Sequence, residues 1–198
     1  MFKISAAAAA IAATAYAGPR LSRCDKSYSP MQDFDVARYI GTWYEQARDK
    51  YTIFEIAAGC TTATYTQNED GTIGVNNQAH RPILGWSGGE ATAVLADTGD
   101  ASLIVSFDGT IPDPSDEPNY TVLDTDYETY TVVYSCGQVT PFLSWDFLWI
   151  LSREEILDDE SMTKIIGKID ERVPEYGFFQ NTKLTRRGLT CPYDSRPQ

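Results

Sequence analysis

The sequence predicts an all-β domain, an antiparallel barrel or sandwich, with one α-helix packed outside it near the C-terminus. Three observations carry this. Between residues 41 and 153, short segments rich in Thr, Val, Tyr, Ile and Phe recur, separated by turn signals at the spacing of an antiparallel sheet. The connections alternate between short polar ones and longer apolar ones. One segment of helical period follows the last strand.

Residues 1–17 are expected to stand outside the fold. Lys3, an alanine-rich apolar run and Ala15-Tyr16-Ala17 form the basic end, apolar middle and small-residue cleavage site of a secretory signal. The run is too short to span a bilayer, and the segment lacks the Arg residues of a mitochondrial presequence. Leu21-Ser22-Arg23-Cys24 faintly resembles a bacterial lipidation box, but Arg23 stands where a small residue is needed. Residues 18–198 then form one domain, which suits a chain of 198 residues with no internal break.

Eight strands are expected, at residues 41–48, 61–67, 72–79, 89–95, 101–107, 120–124, 129–137 and 144–152. Asn68-Glu69-Asp70-Gly71, Asp97-Thr98-Gly99-Asp100 and Thr125-Asp126-Tyr127-Glu128 are short connections carrying Asp-Gly and Gly-Asp hairpin signals or polar equivalents. The others are longer and apolar. Residues 50–59 hold Tyr51, Ile53, Phe54 and Ile56; residues 80–88 hold Ile83, Leu84 and Trp86; residues 108–119 hold Pro112, Pro114 and Pro118; residues 138–143 hold Phe142. In an up-and-down sheet alternate connections lie at opposite ends, so one end is sealed and polar and the other loose and apolar. An eight-stranded antiparallel up-and-down β-barrel of this kind encloses room for one small ligand. After the last strand, Met162, Ile165, Ile166, Ile169 and Val173 share one helical face. Asp158 or Asp159 would cap that helix, and Pro174 and Gly177 would end it. A short strand in the tail before Cys191 is also expected.

The formal charge of −12 disfavours nucleic acid and anionic membrane surfaces as partners. His80 is the only histidine, which leaves no material for a histidine triad or a multi-histidine metal site. Beside Arg81-Pro82 it reads as a solvated turn residue in preference to a haem ligand. Four cysteines, Cys24, Cys60, Cys136 and Cys191, favour two disulfides over free thiols, with three pairings open. No Cys-x-x-Cys pair suggests zinc.

Three islands then resemble the signature regions of one family. Gly41-Thr42-Trp43-Tyr44 follows "FDVARYI"; Thr125-Asp126-Tyr127 lies on the turn between the sixth and seventh strands; Arg153 ends the eighth. In this order and on these strands they resemble the lipocalins, and "FDVARYIGTWYE", "GEAT", "TDYETYTVVYSC" and "DFLWIL" are similar to the apolipoprotein D-like branch, which includes insect bilin-binding proteins and crustacyanins. The resemblance implies a calyx that transports a small hydrophobic molecule. It also implies the pairings Cys24–Cys136 and Cys60–Cys191, and an arginine, here Arg153, lying across Trp43 at the closed end. Gly41, Trp43, Thr125, Asp126, Tyr127 and Arg153 are therefore assigned to structure.

If Arg153 points inward at the base, period two sends Leu151, Trp149, Phe147 and Trp145 inward as well. Counting from the turns adds Ala63 and Tyr65; Ile73, Val75 and Asn77; Leu103, Val105 and Phe107; Tyr120 and Val122; and Thr131, Val133 and Ser135. Trp86 is expected at the rim. Tyr65, Trp86, Phe107 and Trp149 are the strongest expected contacts. An aromatic stripe of this kind packs a core as readily as it walls a pocket, and the resemblance turns the reading toward a cavity. No strong cation is expected there to select a fatty-acid carboxylate.

Asn119-Tyr120-Thr121 is a glycosylation sequon. The expected function is secreted carriage of a carotenoid, a bilin such as biliverdin, a sterol or a fatty-acid-like lipid, with no cofactor required and no chemistry done. The rivals are a lipocalin-fold isomerase, which would need a reactive thiol or paired acid and base, and a binder of a protein partner. The apolar open-end loops would serve contact with a second copy, a membrane or a lipoprotein.

Overall fold

The computed structural model of the chain describes residues 18–20, 28–52, 57–140, 142–173, 176 and 178–197. The expected leader, Cys24, Ile53, Phe54, Ile56, Pro174 and Gly177 lie outside the described residues, as does the side chain of Trp145. In chain order the elements are β1 (Gly18–Arg20), the one-turn α1 (Val36–Tyr39), β2 (Gly41–Asp49), β3 (Gly59–Gln67), β4 (Ile73–Arg81), β5 (Gly85–Leu95), β6 (Ser102–Ser106), β7 (Tyr120–Thr125), β8 (Tyr130–Thr140), β9 (Leu143–Ser152), α2 (Asp159–Arg172), α3 (Phe178–Asn181) and β10 (Thr182–Leu184). Each strand from β2 to β9 pairs antiparallel with the next, and β9 returns to β2. Closure leaves the eight-stranded barrel no free edge of its own. Short β1 and β10 add to β9 and β2.

The period-two reading of β9 is the pattern observed. Leu148 and Ile150 point outward, where Leu123, Val132 and Tyr134 join them against the helix, while Leu151 packs inside with Trp43, Leu103, Val122 and Val133. Helix α2 supplies Met162, Ile165 and Ile169 to the outer cluster, with Val173 at its C-cap. Asp158 is the N-cap, its carboxylate accepting from Ser161 N at 2.8 Å. The barrel thus has two cores, one filling its closed end and one between its wall and α2.

Two departures from the sequence expectation matter for the site. The connection expected over residues 80–88 is a long hairpin arm. The ladder continues through Ala79↔Ser87, His80↔Trp86 and Arg81↔Gly85, leaving three residues for the turn. Gly88 makes this arm fit, since a Cβ there would stand 2.2 Å from Asn77 O. Strand β2, second, carries a bulge: Glu45 pairs with Leu151 but Ala47 with Ile150. The extra residue, Gln46, shifts the alternation, so Glu45 and Arg48 both share register with inward residues of β9, Leu151 and Trp149.

Candidate functional site: a walled cavity above a sealed floor

The closed end is built on Trp43 and Arg153. Trp43 is fully buried and donates from Nε1 to Tyr39 O at 2.9 Å. The Arg153 guanidinium lies 3.6 Å from the indole ring centre. Its nitrogens donate to carbonyls of Tyr127 (3.0 Å), Thr42 (3.1 Å), Arg38 (2.9 Å), Tyr39 (3.2 Å) and Ile40 (3.0 Å). One planar fork thereby joins α1, β2 and the β7–β8 turn. Gly41 has φ of 106°, and a Cβ there would lie 3.1 Å from Arg153 Nη1, so the chain passes where only glycine fits.

The turn after β7 is self-supporting. Thr125 Oγ1 donates to Tyr130 O at 2.6 Å, and Asp126 Oδ1 accepts from the backbone N–H of Glu128, Thr129 and Tyr130 at 3.1, 2.7 and 3.0 Å. These bonds outweigh the opposing effect of burial and hold the Asp126 carboxyl below its usual range. Tyr127, at φ of 69°, accepts at its hydroxyl from Asp35 N, 2.9 Å away.

Above this floor the barrel encloses a cavity of about 380 Å³, a size that suits one small molecule. Of the residues expected to touch a ligand, Tyr65, Val75, Asn77, Val105, Phe107, Tyr120, Val133, Phe147 and Trp149 border it, as do Ala63, Ser135 and Leu151. Leu103 and Val122 face inward but lie deeper, 1 % and 0 % exposed within the floor cluster, with Ile73. Trp86 stands away from the cavity. It is on the outward face of the arm, 5.3 Å from the His80 ring, and it donates from Nε1 to Ser195 Oγ in the C-terminal tail at 3.2 Å. His80 is accordingly no solvated turn residue: it sits in β4, with Arg186 Nη2 3.2 Å from its Nδ1.

A chain of hydroxyls crosses the deep end. Tyr65 meets Tyr120 at 2.8 Å, Tyr120 meets Tyr39 at 2.9 Å, and Tyr39 meets Thr131 at 3.3 Å. Burial raises the phenols of Tyr65 and Tyr120 well above their ordinary range and that of Tyr39 to about 12, so the deep end offers neutral hydroxyl groups.

Several cavity residues were not anticipated. Glu45 follows from Trp43 by period two and was legible; Thr61 follows from Ala63 in the same way. Asn119 was expected only as a sequon. Its Oδ1 accepts from Val105 N and its Nδ2 donates to Val105 O, both at 2.9 Å, so the side chain stands in for strand pairing at the rim. Arg48, 1 % exposed and paired with Glu45, places a cation in the wall that the sequence reading lacked. Cys60 is bonded to Cys191. Cys136, which borders the cavity, is also disulfide-bonded, and the partner implied for it, Cys24, lies outside the described residues. Among the described residues no cluster of His, Cys, Asp and Glu could hold a metal.

Comparison with known proteins agrees with this architecture. The model of the lipocalin-like domain matches residues 34–184. Apolipoprotein D of Oryctolagus cuniculus is 37 % identical over 146 residues, which cover 72 % of each chain. The outer membrane lipoprotein Blc of Escherichia coli (strain K12) is 35 % identical over 166 residues, 83 % of this chain and 85 % of that one. Insecticyanin from the tobacco hornworm Manduca sexta superimposes with a TM-score of 0.71 over 88 % of this chain and 91 % of its own, at 18 % identity. A closed calyx with Arg153 across Trp43 at its floor, an outer helix after the eighth barrel strand and these sequence matches place the chain in the lipocalin family, in its apolipoprotein D-like branch.

Proposed function

We propose that this lipocalin is a secreted carrier that holds one small hydrophobic molecule in its barrel and does no chemistry on it. The observation that carries the reading is the cavity of about 380 Å³, walled mainly by apolar and aromatic side chains above a floor sealed by Trp43 and Arg153. Burial of an apolar ligand there contributes ~25 cal/mol per Å² before the losses of association. A carotenoid, bilin, sterol or fatty-acid-like lipid fits such a lining, and the aromatic side chains favour a flat or conjugated one. The three described cysteines are all bridged, so among the described residues no thiol is available for an isomerase-type reaction. Bridged cysteines and the leader-like residues 1–17 support export to an oxidising compartment.

The open end would meet the source or recipient of the ligand. Ile83, Leu84, Phe107, Ile111 and Phe142 are 96, 78, 60, 63 and 77 % exposed, a set of apolar side chains suited to lipid or to a second copy. Titration with a polyene, a sterol and biliverdin while following tryptophan fluorescence tests the carrier reading. At least one should quench saturably, and Trp149→Ala should weaken binding about tenfold or more while leaving the melting temperature within a few degrees, as Trp149 is only half-buried. Failure of all three ligands, with the apolar rim still binding a protein, would favour the partner-binding reading.

A further inference from the structure

The wall formed by β2, β3 and β4 differs from the rest of the cavity. The bulge at Gln46 brings Glu45 and Arg48 to the same side of β2, and Arg48 Nη1 donates to Glu45 Oε1 at 2.5 Å with both side chains at most 2 % exposed. Arg48 is further engaged, Nη2 donating to Ala58 O at 2.7 Å and Nη1 to Thr61 Oγ1 at 3.5 Å. Thr185, just after β10, donates its hydroxyl to the same Glu45 Oε1. Asn77 lies opposite Ala63 on the adjoining strand, and its Oδ1 is buried with no partner. Glu45 and Asn77 both border the cavity.

We propose that Glu45 determines which class of hydrophobic ligand enters: the β2–β4 wall takes a neutral ligand carrying an O–H or N–H and turns away a free carboxylate. The inference rests on the carrier reading. A buried acceptor without a donor is costly, and Asn77 Oδ1 is one on this wall; a ligand hydroxyl or pyrrole-type N–H satisfies it, and the Glu45 carboxylate on the same cavity accepts such a donor with charge assistance. A ligand carboxylate fares differently. It would lose its hydration beside an existing anion, while Arg48 does not line the cavity and its two terminal nitrogens already donate to Glu45, Thr61 and Ala58. An arginine in the wall therefore does not make an acid-binding site, because the pair presents its negative member to the cavity.

The test uses the full chain and three probes with one skeleton: retinol, retinoic acid and methyl retinoate, each titrated at neutral pH by tryptophan quenching. Retinol should bind at least tenfold more tightly than retinoic acid, with the ester between them. Glu45→Gln, which releases Arg48, should cut that ratio to threefold or reverse it. Should that variant melt too low to assay, Glu45→Gln/Arg48→Met removes both charges and should bind acid and alcohol within threefold of each other. Equal binding of acid and alcohol by the unaltered protein, or an undiminished ratio in the folded variants, overturns the inference while leaving the carrier reading intact. Binding of none of the three, together with no quenching by sterol or biliverdin, overturns both.

Discussion

Replacing Arg153 with methionine tests whether the floor is a stability device separate from ligand binding. Arg153 donates to five carbonyls and covers the Trp43 ring at 3.6 Å. Bonds from a charged donor contribute roughly 1.5–3 kcal/mol each, but Nη2 divides two protons among three carbonyls, so four protons serve the five acceptors and the shared ones contribute at the low end. The cation over the indole adds ~0.5–2 kcal/mol, and methionine keeps part of the packing. Against this, removing a half-buried guanidinium relieves its desolvation. The net loss is about 3–5 kcal/mol, which for a domain of this size lowers the melting temperature by roughly 6–20 °C. Thermal unfolding followed by circular dichroism measures it. Arg153→Lys should recover less than half, since one ammonium cannot reach carbonyls on three elements. Ligand affinity of the folded variant at low temperature should change by less than threefold, because Trp43 separates Arg153 from the cavity. An unchanged melt with lost ligand binding would refute the division of labour.

Two further outcomes follow from the same geometry. Asp49, fully buried, accepts from Tyr51 N at 2.7 Å and the Tyr176 hydroxyl at 2.8 Å, yet burial, with a smaller contribution from Asp146, raises its carboxyl to about 6. A folded-state value above the unfolded one means this contribution to stability is fully present below about pH 4 and is lost as pH rises through about 6; relative to wild type, Asp49→Asn should gain about 1–3 kcal/mol between pH 4 and pH 8. Parallel urea-unfolding stabilities across that range would count against it. The Cys60–Cys191 bridge closes a span of 131 residues. Replacing both cysteines with serine should cost ~4–5 kcal/mol in the chain-entropy model, read as a lower urea midpoint with a slope that rises as the unfolded chain expands; an unaltered midpoint would show that the tail is held by its other contacts.

Much of the site could be read from local pattern. Alternation along Trp145 to Arg153 assigned Phe147, Trp149 and Leu151 to the inside, and the structure places all three on the cavity. Leu103 and Val122 were given the correct face but the wrong depth, since period two reports which side a residue faces and not how far along the barrel axis it lies. Trp86 was assigned to the rim because residues 80–88 read as a loop; the paired arm instead turns it outward onto the C-terminal tail. That pairing depends on Gly88 allowing close approach to Asn77, a tertiary fact with no local signature.

The number of barrel strands, their inward faces, the closed end and the helix outside are all legible in the linear chain. These follow from side-chain periodicity and turn chemistry, which act over a few residues. The bulge at Gln46, and with it the placing of Glu45 and Arg48 together in the wall, emerges only when the barrel closes. A bulge is a compromise between two strands closing a curved sheet, and neither strand's sequence carries it alone.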